Sequence, residues 1–485
     1  MKRADSSPAM VLLAWAALLA VPMVAGDAAA QSADALSETT REFVSVDDPV
    51  VALTNVTLID GTGAEPRADQ TVVIDGGRIA AVGPSADVEV PEGATEIDLA
   101  GHTVIPGMVG LHNHMFYTAA GGRASQANYT APRLYLASGV TTIRTTGSRR
   151  PYDDINVRSQ IDRGRIPGPR IHVTAPYMTG TDGATTMAQM SSPEQARRFV
   201  SYWAAEGAQW VKAYTAITRE DLAAAIEEAH ANGLKVTGHI CSVSFREAVE
   251  LGIDNVEHGF ATASDFIASK EPDQCPQNLL ARVGEEADPR GETSDDVIST
   301  MVEAGVPMTS TLAVYEPFIP GRPTKDSATL AVMAPEVRED YLSAREQIDT
   351  NPDYPLSDVH LEKAMEFERA FVEAGGMLAA GVDPTGLGGA IAGFGDQRNY
   401  QLLHEAGFTP SQIIQIMSYN GARVLGVDDE LGSVEAGKIA DLAVMEGDLT
   451  ADPGAIRDVH LVFKDGVGYD SDRLIESVEG RVGID

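Results

Sequence analysis

The sequence predicts an α/β protein in which a TIM-type (β/α)8 barrel is joined to a small β-sandwich domain. Three observations carry this prediction. Short apolar runs alternate with amphipathic helical segments over residues 107–427, β-rich runs lie at both chain ends, and residues that can bind metal follow several of the apolar runs. Alternation of this kind is typical of parallel sheets whose strands are connected by helices.

Eight apolar runs supply the predicted barrel strands. In chain order they read MVGLHNH, TTIRTT, RIHVTA, QWVKAYT, LKVTGHI, DNVEHGF, VPMTSTL and MLAAGVD. Segments between them, such as PEQARRFVSYWAAEG and DDVISTMVEAG, carry apolar residues at helical spacing, and several end in the glycine that helix C-caps prefer. An open doubly wound sheet is the alternative, but no GxGxxG motif follows the first strand and the chain has no GxSxG elbow.

Both chain ends are β-rich and interrupted by glycine turns, which indicates one small sheet domain built from residues 50–106 and 428–485. Residues 1–30 combine basic residues, an apolar stretch and small residues, as a secretory signal peptide does. Residues 31–49 are polar and are expected to form a flexible arm. We therefore expect an exported, periplasmic or secreted protein without a membrane span after signal cleavage.

Charge and cysteine content limit the function classes. The chain carries 36 basic and 71 acidic residues, a net charge of −35, which argues against nucleic acid and anionic membranes as partners. A small molecule or short peptide is the expected partner, and homo-oligomerisation is left open. The two cysteines, Cys241 and Cys275, are too few for a disulfide scaffold. Whether they pair in an oxidising compartment or stay free is also left open.

The first and fourth predicted strands carry residues with metal chemistry. His112 and His114 are two apart at the end of the first strand, so both imidazoles point to one face and are available to a metal ion such as zinc. An HxH pair alone is a weak signal, because polar residues are common at strand ends. In the fourth strand, Lys212 interrupts an apolar run, and an unpaired buried ammonium is costly. The lysine therefore needs a partner or a chemical role.

Further ligand-type residues end later strands: His239 the fifth, His258 the sixth and Asp383 the eighth. Taken singly, each has an ordinary explanation as a packed histidine or a turn residue. In a (β/α)8 barrel, however, the carboxyl ends of all strands meet at one rim, where active sites are built. The sequence therefore predicts that these three residues join the two histidines and the lysine of the earlier strands in one cluster.

Together these motifs resemble the amidohydrolase superfamily, of the binuclear metal type that includes prolidase-like and imidazolonepropionase-like members. The resemblance rests on PGMVGLHNH, WVKAYT, the two later histidines, GVDPTG and GSVEAGKIADLAV, and it extends from about residue 50 to the C-terminus. It implies a (β/α)8 barrel, a flanking β-sandwich and a centre of two divalent metal ions, with Zn²⁺ expected.

The resemblance also implies a role for each residue of the cluster. The more buried metal ion would be bound by His112, His114 and Asp383, and the second by His239 and His258. Lys212 would bridge both ions after reacting with carbon dioxide to form a carbamate. Asp383 would accept a proton from a metal-bridged hydroxide and pass it to the leaving nitrogen.

The implied activity is hydrolysis of an amide bond in a dipeptide-like or N-acyl amino acid substrate. Hydrolysis of lactones, esters or phosphotriesters at the same centre is one alternative, and a non-catalytic periplasmic binding protein is another. Mononuclear deaminases are disfavoured, because Ser242 stands where they carry glutamate and because the lysine is retained. Two residues are predicted to contact the substrate: Tyr214, which shares a face with Lys212, and Arg144, as a bidentate partner for a carboxylate.

Overall fold

The computed structural model describes residues 35–323 and 326–484, so the predicted signal peptide lies outside the described residues. The strands are β1 (Val44–Val46), β2 (Val50–Leu58), β3 (Arg67–Asp75), β4 (Arg78–Pro84), β5 (Thr95–Asp98), β6 (His102–Pro106), β7 (Met108–Asn113), β8 (Phe116–Ala119), β9 (Arg123–Gln126), β10 (Val140–Thr145), β11 (Arg170–His172), β12 (Thr174–Gly180), β13 (Ala188–Met190), β14 (Trp210–Tyr214), β15 (Lys235–His239), β16 (Asn255–Glu257), β17 (Met308–Ser310), β18 (Leu378–Ala380), β19 (Leu442–Glu446), β20 (Val459–Lys464) and β21 (Val467–Asp470). The helices are α1 (Glu38–Arg41), α2 (Thr130–Ala137), α3 (Pro151–Asp162), α4 (Pro193–Ala205), α5 (Arg219–Ala231), α6 (Phe245–Glu250), α7 (Leu279–Glu286), α8 (Glu292–Ala304), α9 (Leu312–Tyr315), α10 (Ser327–Val332), α11 (Pro335–Thr350), α12 (Asp358–Glu373), α13 (Phe394–Glu405), α14 (Pro410–Ile414), α15 (Asn420–Leu425) and α16 (Ser471–Glu476).

Parallel strands form at all eight of the predicted apolar runs, and this part of the prediction is confirmed. β11, β10 and β7 make one sheet in that order. A second sheet has the order β13, β12, β14, β15, β16, β17 and β18, again with parallel pairing. Helices connect most of these strands, so the middle of the chain is an α/β structure.

The predicted third strand, RIHVTA, is divided between the two sheets. β11 pairs with β10, and after Val173 the chain continues as β12, which pairs with β14. Side chains replace strand pairing at this break. The N–H of Val173 donates to Gln209 Oε1 at 3.2 Å, and the N–H of Thr174 donates to Thr145 Oγ1 at 3.0 Å. These bonds satisfy buried backbone groups where the ladder changes partner.

The first and last parallel strands lie side by side at their carboxyl ends. The N–H of Asp383, after β18, donates to the carbonyl of His112 on β7 at 2.7 Å. Gly381 permits this approach, because a Cβ at that position would overlap the backbone nitrogen of His112. The chain thereby places the ends of the predicted first and eighth strands in contact.

The helical segments follow the predicted amphipathic patterns. α8 ends at Gly305, whose φ of 68° is the left-handed conformation expected of a C-cap glycine. The last predicted helix is divided into α14 and α15 by a π-helical turn over residues 415–419. Among the residues that the structure describes, no helix is both long enough and apolar enough to span a membrane.

The two chain ends build one nine-stranded sheet. Its order is β1, β21, β20, β19, β6, β2, β3 and β4, with β5 beside β2. Antiparallel pairing of β6 with β19 joins the N-terminal part to the C-terminal part. Apolar side chains from both parts pack in one cluster, in which Leu53, Val72, Leu442 and Phe463 are fully buried. Strands from both ends thus share a single apolar core.

Residues 35–49, predicted as part of a flexible arm, contain regular structure. Ser37 begins α1 by accepting the N–H of Thr40 at 3.2 Å, and β1 pairs with β21 of the terminal sheet. Leu36 and Phe43 are buried in the main apolar core. The prediction of a flexible arm is therefore wrong for this part of the segment, because two apolar side chains anchor it.

Cys241 and Cys275 form a disulfide, with Cα atoms 4.9 Å apart. It connects the segment after β15 to the segment after β16. The bond answers the question that the sequence left open and rules out a free thiol beside His239.

Candidate metal centre

Six side chains converge where the parallel strands end. They are His112 on β7, His114 directly after it, Lys212 on β14, His239 at the end of β15, His258 directly after β16 and Asp383 shortly after β18. All are buried except His239, which is partly exposed. The structure thus brings together the six positions that the sequence predicts as metal ligands.

The carboxylate of Asp383 is the centre of this cluster. Its Oδ1 lies 3.3 Å from His114 Nε2, and its Oδ2 lies 3.6 Å from His112 Nε2 and 3.8 Å from His258 Nε2. The ring of His239 lies 4.4 Å from that of His258, between centroids. Three imidazoles therefore surround one side of a single carboxylate, and a fourth lies beside His258.

Two of these residues have a backbone conformation that residues other than glycine rarely adopt. φ is 48° at Asp383 and 67° at His258. A left-handed conformation at such a residue costs about 1 to 3 kcal/mol, and strain of this kind concentrates at functional sites. In both cases it turns a strand end so that the side chain joins the cluster.

Hydrogen bonds fix the orientation of three of the imidazoles. His112 Nδ1 donates to Glu257 Oε2 at 2.8 Å, and His114 Nδ1 donates to the carbonyl of Gly147 at 3.1 Å. His258 Nδ1 lies 2.7 Å from Thr311 Oγ1. Because Nδ1 is used in each case, Nε2 is the ring nitrogen left to face Asp383. Orientation of this kind is common behind metal-binding histidines.

Glu257 and Arg144 form a buried ion pair behind His112. Arg144 donates to Glu257 Oε1 and, at 2.8 Å, to the carbonyl of Leu111, and its side chain has no exposed surface. Burial alone would raise the pKa of Glu257, but Arg144 and Lys212 outweigh it and lower the pKa. The prediction that Arg144 binds a substrate carboxylate is therefore wrong, because the protein's own carboxylate occupies its guanidinium.

Lys212 lies fully buried on β14, and its Nζ has no hydrogen-bond partner among the described residues. Burial lowers its pKa to about 8 and Arg144 adds to this, although Glu257 and Asp383 act in the opposite direction. A buried polar atom without a partner is rare and costly. The environment thus favours the neutral amine more than an ordinary lysine site does.

Burial favours the neutral imidazole at His112, His239 and His258, and Asp383 is held ionised. Burial, reinforced by Lys212, lowers the pKa of His239 to about 3 and places that of His112 well below its usual range. Burial likewise lowers the pKa of His258. For Asp383 burial alone would raise the pKa, but His112, His114 and a hydrogen bond from Thr385 outweigh it and lower it. Neutral imidazole and ionised carboxylate are the forms that bind metal ions.

Four residues of the cluster, His112, His239, His258 and Asp383, line an open cavity of about 490 Å³. Aromatic rings make much of its wall: Phe116, Tyr177, Tyr214, Tyr315 and Phe318. The predicted substrate contact Tyr214 therefore faces the cavity, with its ring 4.7 Å from that of His239. Tyr177 reaches the centre as well, since its hydroxyl lies 3.3 Å from His114 Nε2.

Several residues of the site were missed from the sequence. Glu257 had a signal, because it is a charged residue in the apolar run DNVEHGF directly before His258. Tyr177 had little signal, since an aromatic residue on a strand is most often packing. Arg149, which also lines the cavity, lies in a loop after β10 and had no pattern to identify it.

Divalent metal ions fit this donor set. His112, His114 and Asp383 offer ligand atoms that all lie within 4.8 Å of one another. Lys212 Nζ and His258 Nε2 are buried without hydrogen-bond partners among the described residues, which is expected of groups arranged for a ligand. Imidazole nitrogen with carboxylate oxygen is the donor set that zinc commonly uses.

Comparison with known proteins agrees with this chemistry. The model of the Amidohydrolase family matches residues 103–468. An imidazolonepropionase of Streptomyces avermitilis is 34% identical over 105 residues, which cover 21% of this chain and 24% of that protein. An S-triazine hydrolase of Gordonia rubripertincta is 28% identical over 98 residues, or 19% of this chain and 20% of that protein. The matched segments thus span about a quarter or less of these relatives.

Solved structures match over a much larger part of the chain. A protein from Bifidobacterium longum, provisionally assigned as a prolidase, is 26% identical, with a TM-score of 0.63 over 88% of this chain and 98% of that one. A Xaa-Pro dipeptidase with methionine bound in its active site is 21% identical, with the same TM-score over 87% of this chain and 100% of that one. At 21% identity the second match supports the fold alone.

Proposed function

Because the chain belongs to the amidohydrolase family, whose members are metal-dependent hydrolases, we propose that it hydrolyses amide bonds in dipeptide-like or N-acyl amino acid substrates. One observation carries the proposal: the oriented imidazoles of His112, His114 and His258 surround the ionised carboxylate of Asp383, which lines an open cavity. A relative named as a hydrolase and a structure provisionally named as a prolidase support it.

We assign the ligands of two divalent ions, most simply zinc, as the donor set suggests. His112, His114 and Asp383 would hold one ion, and His239 and His258 the other, with Lys212 between them. When bound, such ions polarise a substrate carbonyl and lower the pKa of water. Glu257, Gly147 and Thr311 keep the imidazoles oriented for this task.

Lys212 is proposed to bridge the two ions as a carbamate. Its neutral Nζ attacks the carbon of carbon dioxide and forms an N–C bond. The π electrons of one C=O bond move onto its oxygen, which becomes a carboxylate oxygen. The amine proton leaves to solvent. This reaction replaces a buried amine that has no partner with an anion that offers two oxygens to metal ions.

Asp383 is proposed to move the proton in hydrolysis. Its carboxylate is ionised and faces the cavity, and Thr385 orients Oδ1 by donating a hydrogen bond at 2.8 Å. It accepts a proton as water adds to the amide carbon and delivers it to the leaving nitrogen as the C–N bond breaks. Tyr177 and Tyr214 border the same space and exclude part of the bulk water.

The proposal also covers the fold and the cellular location of the protein. We propose that the two parallel sheets form one closed (β/α)8 barrel, supported by a bridge between Ser148 and Pro176 and by the bond from Asp383 N–H to the His112 carbonyl. The terminal sheet is proposed to be the β-sandwich partner. Export is supported by the apolar stretch in residues 1–30 and by the Cys241–Cys275 disulfide, since disulfides persist in oxidising compartments.

Metal analysis combined with a substrate panel tests the function. The panel contains dipeptides, N-acyl amino acids, a lactone, an ester and a phosphotriester. We expect about two divalent ions per chain and turnover of the amides. A chelator should abolish this turnover, and added zinc should restore it. Turnover of only the lactone, ester or phosphotriester would replace the amide assignment. Tight binding of a panel compound without turnover would indicate a binding protein.

A further inference from the structure

The wall of the cavity above the candidate metal centre carries two arginines, although the protein is strongly acidic. The chain has 71 acidic and 36 basic residues, yet among the described residues that line this cavity the only carboxylate is Asp383, beside Arg123 and Arg149. A cavity focuses the field of the charges on its wall. A positive charge on this wall therefore favours the anionic part of a substrate.

The two arginines differ in what already binds them. Arg123 donates to Asp340 in an ion pair. Within the described residues Arg149 has neither a hydrogen-bond partner nor an ion-pair partner, and its guanidinium carbon lies 5.1 Å from the centroid of the Phe116 ring. Its neighbour Arg150 is paired with Asp153 at 3.0 Å. Arg149 is thus the arginine of the cavity wall whose donors are available.

Arg149 is held close to the metal centre by its loop. Gly147, two residues earlier, accepts the hydrogen bond from His114 Nδ1 at 3.1 Å. Phe116 packs its ring 4.5 Å from the ring of His114, and Arg149 lies over the same Phe116. The guanidinium of Arg149 and the imidazole of His114 therefore contact the same aromatic ring.

We propose that Arg149 binds a free carboxylate of the substrate and thereby selects acidic amides over their neutral analogues. This inference rests on the proposed hydrolase function and deepens it. A guanidinium matches a carboxylate through two parallel N–H···O bonds, and contact with an aromatic ring keeps its plane oriented. The apolar surfaces of Phe116, Tyr177 and Phe318 then contact the uncharged part of the substrate.

The position of Arg149 suits a carboxylate near the scissile bond. In an N-acyl amino acid the α-carboxylate is a few bonds from the scissile carbonyl carbon. This separation is similar to the width of the Phe116 ring, which contacts both Arg149 and His114. The carboxylate can belong to the leaving amino acid or to the acyl group. Both sources present the same chemistry to Arg149, and the substrates of the test distinguish them.

The test compares the protein with its Arg149→Met and Arg149→Lys variants on three substrates: an N-acetyl amino acid, its C-terminal amide, and an N-succinyl amino acid amide. We expect Arg149→Met to raise KM for the preferred acidic substrate roughly 10- to 100-fold, because hydrogen bonds to charged groups are lost. KM for the neutral amide and kcat should change little. Arg149→Lys should show a smaller increase in KM, since lysine keeps the positive charge but lacks the two parallel N–H donors of the guanidinium.

Arg150→Met is the matched control, because it removes the adjacent arginine that is already paired with Asp153. It should leave all three KM values unchanged. Equal KM values for the acid and the neutral amide in the unsubstituted protein, or an unchanged KM in Arg149→Met, would overturn the inference. Purification at wild-type yield and an unchanged melting temperature exclude misfolding.

A binding measurement separates this inference from the proposed hydrolysis. Calorimetry on the metal-loaded protein with 3-phenylpropionate and 3-phenylpropanamide needs no turnover. We expect tighter binding of the acid, a difference that Arg149→Met abolishes. If no amide is hydrolysed but this difference is present, the hydrolase proposal fails and Arg149 remains a carboxylate site. If amides are hydrolysed but this difference is absent, the hydrolase proposal stands and the role of Arg149 fails.

Discussion

Lys212 lies among buried charges that leave it without a counterion of its own. The oxygens of Glu257 already accept hydrogen bonds from His112, Arg144 and Thr237. Lys212 Nζ has no hydrogen-bond partner within the described ranges. A buried ammonium in this setting carries a desolvation penalty that Glu257 and Asp383 offset only in part. A carbamate reverses the sign of the charge and supplies oxygens to metal ions, so the residue-scale electrostatics favour a modified lysine.

Replacing Lys212 with alanine should reduce the metal content from about two ions per chain to one or none and abolish turnover. The reason is the loss of the bridging group. Elemental analysis of the purified variant measures its metal content. Native mass spectrometry of the unsubstituted protein should find the mass of one added carbon dioxide.

Lys235→Ala provides the control for this variant. Lys235 begins the neighbouring strand β15, and its Nζ donates to the carbonyl of Val424 at 2.6 Å. That contact lies at the opposite end of the strand from His239, so the variant should retain its metal. Full metal occupancy in Lys212→Ala would falsify the bridge.

At the scale of elements, the segments after β15 and β16 act as a connected pair. Cys241 lies two residues after His239, and Cys275 lies on the segment that follows His258. Their disulfide therefore ties together the two segments that carry the proposed ligands of the second metal ion. Thr311, after β17, fixes His258 from a third segment. The geometry of this half of the centre therefore depends on loop contacts as well as on the strand pairing of His239.

Replacing both cysteines with alanine should lower the free energy of unfolding by about 3 kcal/mol, because a crosslink that spans 34 residues restricts the unfolded chain. Guanidinium denaturation under oxidising conditions measures this difference. The same variant should lose zinc to a chelator faster than the unsubstituted protein does. Reductant should bring the unsubstituted protein close to the variant and leave the variant unchanged; identical stabilities would show that packing alone holds the segments.

At the scale of the whole molecule, a buried ion network joins the parallel sheets to the terminal sheet. Arg170, at the start of β11, donates to Asp441 at 2.9 Å and to Asp465 at 2.6 Å. Lys464 adds a second cation, with its Nζ 2.7 Å from Asp465 Oδ2. Burial alone would raise the pKa of Asp465, but Lys464 and Arg170 outweigh it and lower it to about 2. Asp441 and Asp465 belong to the terminal sheet, so the network crosses the boundary between the two parts.

Asp465→Asn should destabilise the protein by about 2 kcal/mol near neutral pH, since the depressed pKa of this carboxyl reports its favourable interactions when ionised. The folded pKa lies below the unfolded value. The contribution is therefore complete above about pH 4 and is lost as the pH falls through about 2.

Urea denaturation of both proteins at pH 6 and at pH 3 measures this dependence, and the difference between them should shrink at the lower pH. Asp75→Asn, at the exposed end of β3, is the control and should show no such trend. A difference that does not vary with pH would contradict an ionised role for Asp465.

The sequence by itself determined the parallel strands, the ends of several connecting helices and the six positions of the candidate metal centre. The reason is local: strand and helix periodicity are properties of neighbouring residues, and parallel strands necessarily bring their carboxyl ends to one edge. His112 and His114 could be assigned to one face from their spacing alone. Lys212 stood out because its charge conflicts with the apolar run around it.

Only the tertiary structure decided which side chains face the substrate. Arg144 and Arg149 are five residues apart, and their local sequence does not distinguish them. Glu257, from a distant strand, pairs with Arg144, whereas Arg149 lines the cavity. The division of the third strand likewise depends on the side chains of Thr145 and Gln209, which reach it from other strands. Contacts between residues far apart in the chain are set by packing, and a single sequence does not encode them in any local pattern.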